Sequence, residues 1–178
     1  VVTESVDAGG FDKEGQKKSE RGNPLTGPFF IEGAAQGDAI AVTITKISLN
    51  RNYATTLEGL VTKSLPGNTI KKKWRYAKLA RWNLDLANNV ATPANQHEHI
   101  KDVKNPLHPF LGCVGVAPEG TKKIGTGGFG QFGGNLDFKF ITETATVYLP
   151  VYHNGALLLL GDGHAVQGDG ELNGDALE

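Results

Sequence analysis

Glycine sets the strongest limit on what this chain can become. It occurs 24 times in 178 residues, together with 8 prolines, and it interrupts the sequence too often for a convincing long amphipathic helix. Short apolar runs survive between the interruptions, which is the pattern of short strands joined by tight turns. Residues 39–47 show it clearly: Ile40, Val42 and Ile44 fall on one face, while Thr43, Thr45 and the small Ala39 and Ala41 take the other. A period of two is that of a half-buried strand. Residues 144–151 repeat the pattern with Val147, Leu149 and Val151 on one face, residues 27–33 and 137–141 read as further strands, and residues 110–117 are a small-residue apolar run. In residues 72–86 the even positions hold Trp74, Tyr76, Ala80, Trp82, Leu84 and Leu86, so a strand fits better than a helix. His153-Asn154-Gly155 is a turn, because Asn-Gly tolerates positive φ, and residues 157–160 are expected to pair back across it. The predicted fold is mainly β, with two packed sheets in a sandwich or jelly-roll-like arrangement, long Gly-rich loops and few helices.

Charge and length remove several classes of function. With 18 basic and 19 acidic residues the formal charge is −1, which does not suit a phosphate backbone, so no nucleic-acid partner is expected. The longest apolar run, residues 156–160, falls far short of the roughly 20 residues that span a bilayer, so no membrane partner is expected either. The single cysteine, Cys113, can form no internal disulfide and lies in an apolar stretch, where a cysteine is more often a small buried hydrophobe than a nucleophile. The basic cluster at residues 71–73 reads as a solvated face.

Two segments carry possible chemistry. Gly161-Asp162-Gly163-His164-Ala165-Val166-Gln167-Gly168-Asp169-Gly170-Glu171 places carboxylates beside an imidazole directly after an apolar strand. That is a ligand set for zinc and related divalent ions, and the interleaved glycines let the side chains converge. The same spacing also fits two consecutive turns whose aspartates cap backbone N–H groups. In Gly133-Gly134-Asn135-Leu136-Asp137, Asn135 is a candidate to orient an amide or donate to an oxyanion, with Asp137 as its partner, although taken alone the pair is better explained by an Asx turn opening a strand. Gly125-Thr126-Gly127-Gly128-Phe129-Gly130 spells G-x-G-x-x-G, but no helix start follows it, so a flexible or closely packed loop is favoured over a dinucleotide site.

In this order and separation the two clusters resemble the acetamidase/formamidase family. Val147-Tyr148-Leu149-Pro150-Val151 and Gly155-Ala156 between them are similar to it as well. So are Asn23-Pro24-Leu25-Thr26-Gly27-Pro28, Glu32-Gly33-Ala34 and Gly37-Asp38 early on, His108-Pro109-Phe110-Leu111-Gly112 in the middle, and the acidic Glu4 and Asp7 before Gly9-Gly10. Residues 51–105 match weakly. The resemblance implies an amidase, a hydrolase of formamide, acetamide or related amides, that is mainly β, often a homo-oligomer and in some members loaded with zinc or calcium. Members are longer at both ends. With no methionine in the sequence, the expectation is one mainly-β unit over residues 1–178 that is part of a longer enzyme, in a cytoplasmic location.

Amide hydrolysis needs an activated water, a stabilised oxyanion and a proton for the departing nitrogen. On the resemblance, Asp162, His164 and Glu171, with Asp7 from the other end of the chain, are candidate ligands of a divalent metal, zinc ahead of calcium. Asp169 and Glu171 are candidates for the general base and acid. Asn135, Gln167 and His108 are candidates to hold the small amide substrate. The competing expectation is a non-catalytic β-sandwich module that binds a divalent ion or small ligand through the same acidic turns.

Overall fold

The computed structural model describes residues 1–59, 79–95, 99–121 and 123–178. Among them there is no helix, and eleven strands form three antiparallel sheets. The mainly-β expectation is thus borne out, with packed sheets. No helix is long and apolar enough to cross a membrane among the described residues. The chain divides into two compact units, Val1–Ile47 with Phe110–Gly163, and Ser48–Pro109 with His164–Glu178.

The first unit holds β1 (Leu25–Phe29), β2 (Ala39–Thr43), β7 (Phe110–Gly115), β8 (Phe129–Gly130), β9 (Gly133–Asn135), β10 (Thr146–Pro150) and nearly all of β11 (Leu158–His164). Five strands form one sheet in the order β1-β11-β7-β9-β8, and β10 pairs with β2 in a separate ribbon. Alternation places the apolar faces of both layers in one core. Val114 and Leu158 come from the sheet, and Leu149, Ile40 and Val42 from the ribbon, with Ile44 and Val151 beside them. Each fully buried aliphatic side chain of this kind contributes about 1.5–3 kcal/mol.

Two expectations fail here. The turn at His153-Asn154-Gly155 exists, but residues 158–160 pair with β1, not with β10. Gly155, Ala156 and Leu157 all have positive φ, one more than a two-residue hairpin uses, so the chain crosses from one sheet to the other. Residues 137–141 are a turn, closed by the Ile141 N–H on the Phe138 carbonyl, because Asp137 takes φ 45° and leaves the extended region.

The second unit is one sheet in the order β3-β4-β5-β6, from β3 (Tyr53–Leu57), β4 (Leu79–Asp85), β5 (Val90–Pro93) and β6 (Asn105–Pro106). In β4 the even positions point inward as the alternation predicted, with Leu84 buried. The earlier part of that predicted strand, and the basic cluster at 71–73, lie outside the described residues. The free edge of β3 is taken by the end of the chain: the Thr55 N–H donates to the Glu178 carbonyl at 2.7 Å, and the Glu178 N–H returns to Thr55 at 3.1 Å. Leu177 joins the same tail to residues 165 and 166, and Ala54, Leu84, Ala91, Leu107, Ala165 and Leu177 close the core.

Candidate functional site

In the first unit, glycine places the polar residues. β7 and β9 run so close that a Cβ at Gly133 would stand 2.4 Å from the Val114 carbonyl oxygen. Gly133 and Gly134 both have positive φ, at 81° and 101°, which suits glycine and little else. This register sets Asn135 opposite Cys113. The Asn135 Nδ2 donates to Asp137 Oδ2 at 2.9 Å, and its Oδ1 accepts from Asn23 Nδ2 at 2.6 Å. Asn23 Nδ2 also donates to Asp162 Oδ2 at 3.0 Å. The result is a relay, Asp162–Asn23–Asn135–Asp137, with the two carboxylates within 4.8 Å of each other. Both carboxylates face the buried Cys113 thiol. Burial first, and then their charge, pushes that thiol up to about 12, so it stays protonated and is no nucleophile at neutral pH.

In the second unit the turns after β11 do the placing. His164 is 1% exposed and Glu178 8%. The His164 Nε2 lies 4.0 Å from Glu171 Oε1 and 3.9 Å from Glu178 Oε1, and the three side chains offer ligand atoms within 4.8 Å of one another. Glu171 is held by its own local bonds. Its Oε1 accepts the Ala176 N–H, and its carbonyl accepts the Gly174 N–H. A buried imidazole facing two carboxylates is a donor set that fits a divalent ion.

The other sequence candidates are placed differently. Gln167 is half-buried in the second unit, and Asp169 lies exposed in the turn that follows. The His108 side chain is exposed, while its backbone N–H bonds the Ala165 carbonyl at 2.9 Å. Asp7 ties its own N-terminal turn, where its Oδ1 accepts the Phe11 N–H at 2.8 Å, and it joins no metal-competent group of side chains among the described residues. Neither Asn23 nor Glu178 was singled out from the sequence. Asn23 showed only as the start of the family-like segment Asn23-Pro24-Leu25-Thr26-Gly27-Pro28, with no role attached to it. Glu178 lies seven residues past Glu171, with nothing in the spacing to tie it to an imidazole.

Among the described residues, four of the eight non-glycine residues with positive φ are Asn23, Asp137, Asp162 and Glu171, at 58°, 45°, 59° and 42°. Such backbone is uncommon and concentrates at functional sites. Carboxamide, carboxylate and imidazole groups are mounted here on the ends of short strands, in a frame without a helix among the described residues. The class this defines is a β protein that gathers polar groups within each of its two units.

The particular family follows from the comparisons. The model of the acetamidase/formamidase family matches residues 16–126 and 124–178, and the chain belongs to that family. A Schizosaccharomyces pombe protein bearing the formamidase name is 26% identical over 194 residues, covering 84% of this chain and 47% of that protein. The formamidase of Methylophilus methylotrophus is 24% identical over 192 residues, covering 83% of this chain and 46% of its own length. The crystal structure of an acetamidase from Bacillus halodurans matches with TM-score 0.70 at 34% identity, over 87% of this chain and 48% of that one. The chain thus spans about half the length of the curated relatives it matches.

Proposed function

We propose that this chain serves the hydrolysis of a short carboxamide, of the formamide or acetamide kind, to a carboxylate and ammonia. The observation that carries the proposal is the hydrogen-bonding edge of Asn135. A side-chain amide has two N–H donors and an oxygen with two lone pairs. One N–H goes to Asp137 and one lone pair to Asn23. One N–H and one lone pair of this amide are left for a ligand. A primary amide presents the complementary pair, a carbonyl oxygen and an N–H on the same edge. The matches to formamidases and an acetamidase support the same substrate class.

In the second unit, His164, Glu171 and Glu178 are the residues that would hold a divalent metal, with zinc ahead of calcium because an imidazole is among the donors. Such an ion supplies Lewis acidity toward a water and a carbonyl. Glu171 is fixed by the Ala176 N–H and is suited to take a proton from the attacking water and return it to the departing nitrogen. Glu178 brings a second carboxylate to the same imidazole nitrogen, 3.9 Å away. Asp162 stays a candidate ligand of the metal and also accepts from Asn23 in the first unit's relay. A homo-oligomer and a cytoplasmic location remain part of this proposal through the family resemblance.

The test is ammonia release from formamide and acetamide by the purified chain, with elemental analysis after dialysis. Ammonia release that is lost in His164→Ala, together with retained zinc, supports the proposal. No ammonia from any short primary amide overturns it. Activity without retained metal keeps the hydrolase and removes the ion.

A further inference from the structure

The relay in the first unit has a property that no pair of its members has alone: its polarity is set from its two ends. A carboxylate only accepts hydrogen bonds. Asp162 therefore fixes which end of the Asn23 amide faces it, because only the Nδ2 can donate across the 3.0 Å gap. The same nitrogen spends its second proton on Asn135 Oδ1 at 2.6 Å, which forces the Asn135 oxygen toward Asn23. Asp137, the second carboxylate, draws the Asn135 Nδ2 toward itself at 2.9 Å. Both asparagines are partly buried, and Asn23 is held at φ 58° at the entry to β1. Were the Asn135 amide turned over, oxygen would face Asp137 and nitrogen would face nitrogen. Two hydrogen bonds would be lost, and like partial charges would repel at both ends.

We infer that Asn23 is a positioning residue, which by donating to both Asp162 and Asn135 locks the Asn135 carboxamide in one orientation, and that the N–H and lone pair left over are the matched edge that takes the ligand. This deepens the amide-hydrolase reading and rests on it for the identity of the ligand. The edge selects by geometry. A primary amide has an N–H on the same side as its carbonyl oxygen and can close both bonds at once. A trans N-substituted amide has them on opposite sides and closes only one. A carboxylate offers two acceptors, so it too satisfies only one partner, which helps product depart. Without Asn23 the Asn135 group is held only by its bond to Asp137, and part of the population shows the edge reversed.

Asn23→Gly is the informative variant, because glycine accepts φ 58° and keeps the turn while removing the side-chain donor. Hydrogen exchange of the Asn135 side-chain amide, read by 15N NMR on the 178-residue chain without substrate, decides the relay by itself. The expected result is a slowly exchanging Nδ2 proton in the wild type and at least a roughly tenfold faster one in Asn23→Gly, the equivalent of one hydrogen bond. Equal exchange in the two proteins overturns the inference. The kinetic arm asks whether positioning reaches the reaction. KM for acetamide should rise about tenfold in Asn23→Gly while kcat changes far less, and the preference for acetamide over N-methylacetamide should shrink. A purely structural role for Asn23 predicts unchanged KM and unchanged preference in this variant. Asn23→Asp, which sets an acceptor where two donors stood, should be worse than Asn23→Gly on both measures. A wild-type chain that releases no ammonia defeats the amidase proposal, while the exchange measurement still settles the relay.

Discussion

The two units hold their polar groups by different means. In the first, Asn135 and Asp162 sit on paired strands, and register aligns them with Asn23 and Cys113. In the second, His164 ends a strand, but Glu171 and Glu178 arrive on turns and a tail, fixed by bonds such as Ala176 N–H to Glu171 and Thr55 to Glu178. Strand register is rigid because a slip of one residue turns every side chain to the other face. Turn placement is softer and rests on a few local bonds. The first arrangement suits recognition of a fixed shape, the second suits groups that must exchange protons or accommodate an ion.

That contrast can be broken most sharply by His164→Ala. Loss of this metal-holding imidazole should lower kcat for amide hydrolysis by more than about 100-fold, since losing even a group behind a metal ligand costs about 10–100-fold, with the fold retained by circular dichroism. The next largest effect concerns stability. Leu149→Ala, in the core of the first unit, should cost about 2–5 kcal/mol in urea unfolding. If the units unfold independently, the same variant leaves the near-ultraviolet signal of Trp82, packed in the second core, at its wild-type midpoint. A coincident shift of both signals would show one cooperative structure. Asn135→Ala comes third, raising KM by about tenfold for a lost pair of ligand hydrogen bonds and sparing any metal content. Metal lost with Asn135 would abolish the division of labour between the units.

The smallest effect is one of pH. In the folded chain the Cys113 thiol keeps its proton to about 12, against 9.0 for an ordinary thiol. The protonated form is therefore favoured by folding. Its contribution is complete below about 9 and is lost as pH rises from there toward about 12. Compared with Cys113→Ala, the wild type should lose unfolding midpoint between pH 9 and pH 11 and be unaffected between pH 6 and pH 8. Folded protein should also resist thiol reagents at pH 8 until denatured.

The same contrast explains what could be read in advance. Alternation in residues 39–44 and 144–151 named the correct inward faces because burial of one side is a local, period-two signal. Asn135, Asp137, Asp162 and His164 stood out for the same reason: they lie on or beside short runs with glycine between them. Asn23 and Glu178 did not, since their partners are 112 and 14 residues away or further and no spacing encodes a contact of that range. The hairpin predicted at residue 154 failed on a backbone detail, the third positive φ at Leu157, for which leucine gives no warning. Asp7 joined the candidates through the family resemblance, and its carboxylate turns out to serve its own turn.

One last consequence follows from the tail that lines β3. During synthesis the ribosome delivers Thr55 more than a hundred residues before Glu178. Through that interval β3 offers an unoccupied rail of amides and carbonyls, the kind of edge that recruits strands from neighbouring chains. Removing residues 175–178 should accordingly leave a protein that clumps as it emerges, and a short peptide of those residues, supplied in trans, should quieten it.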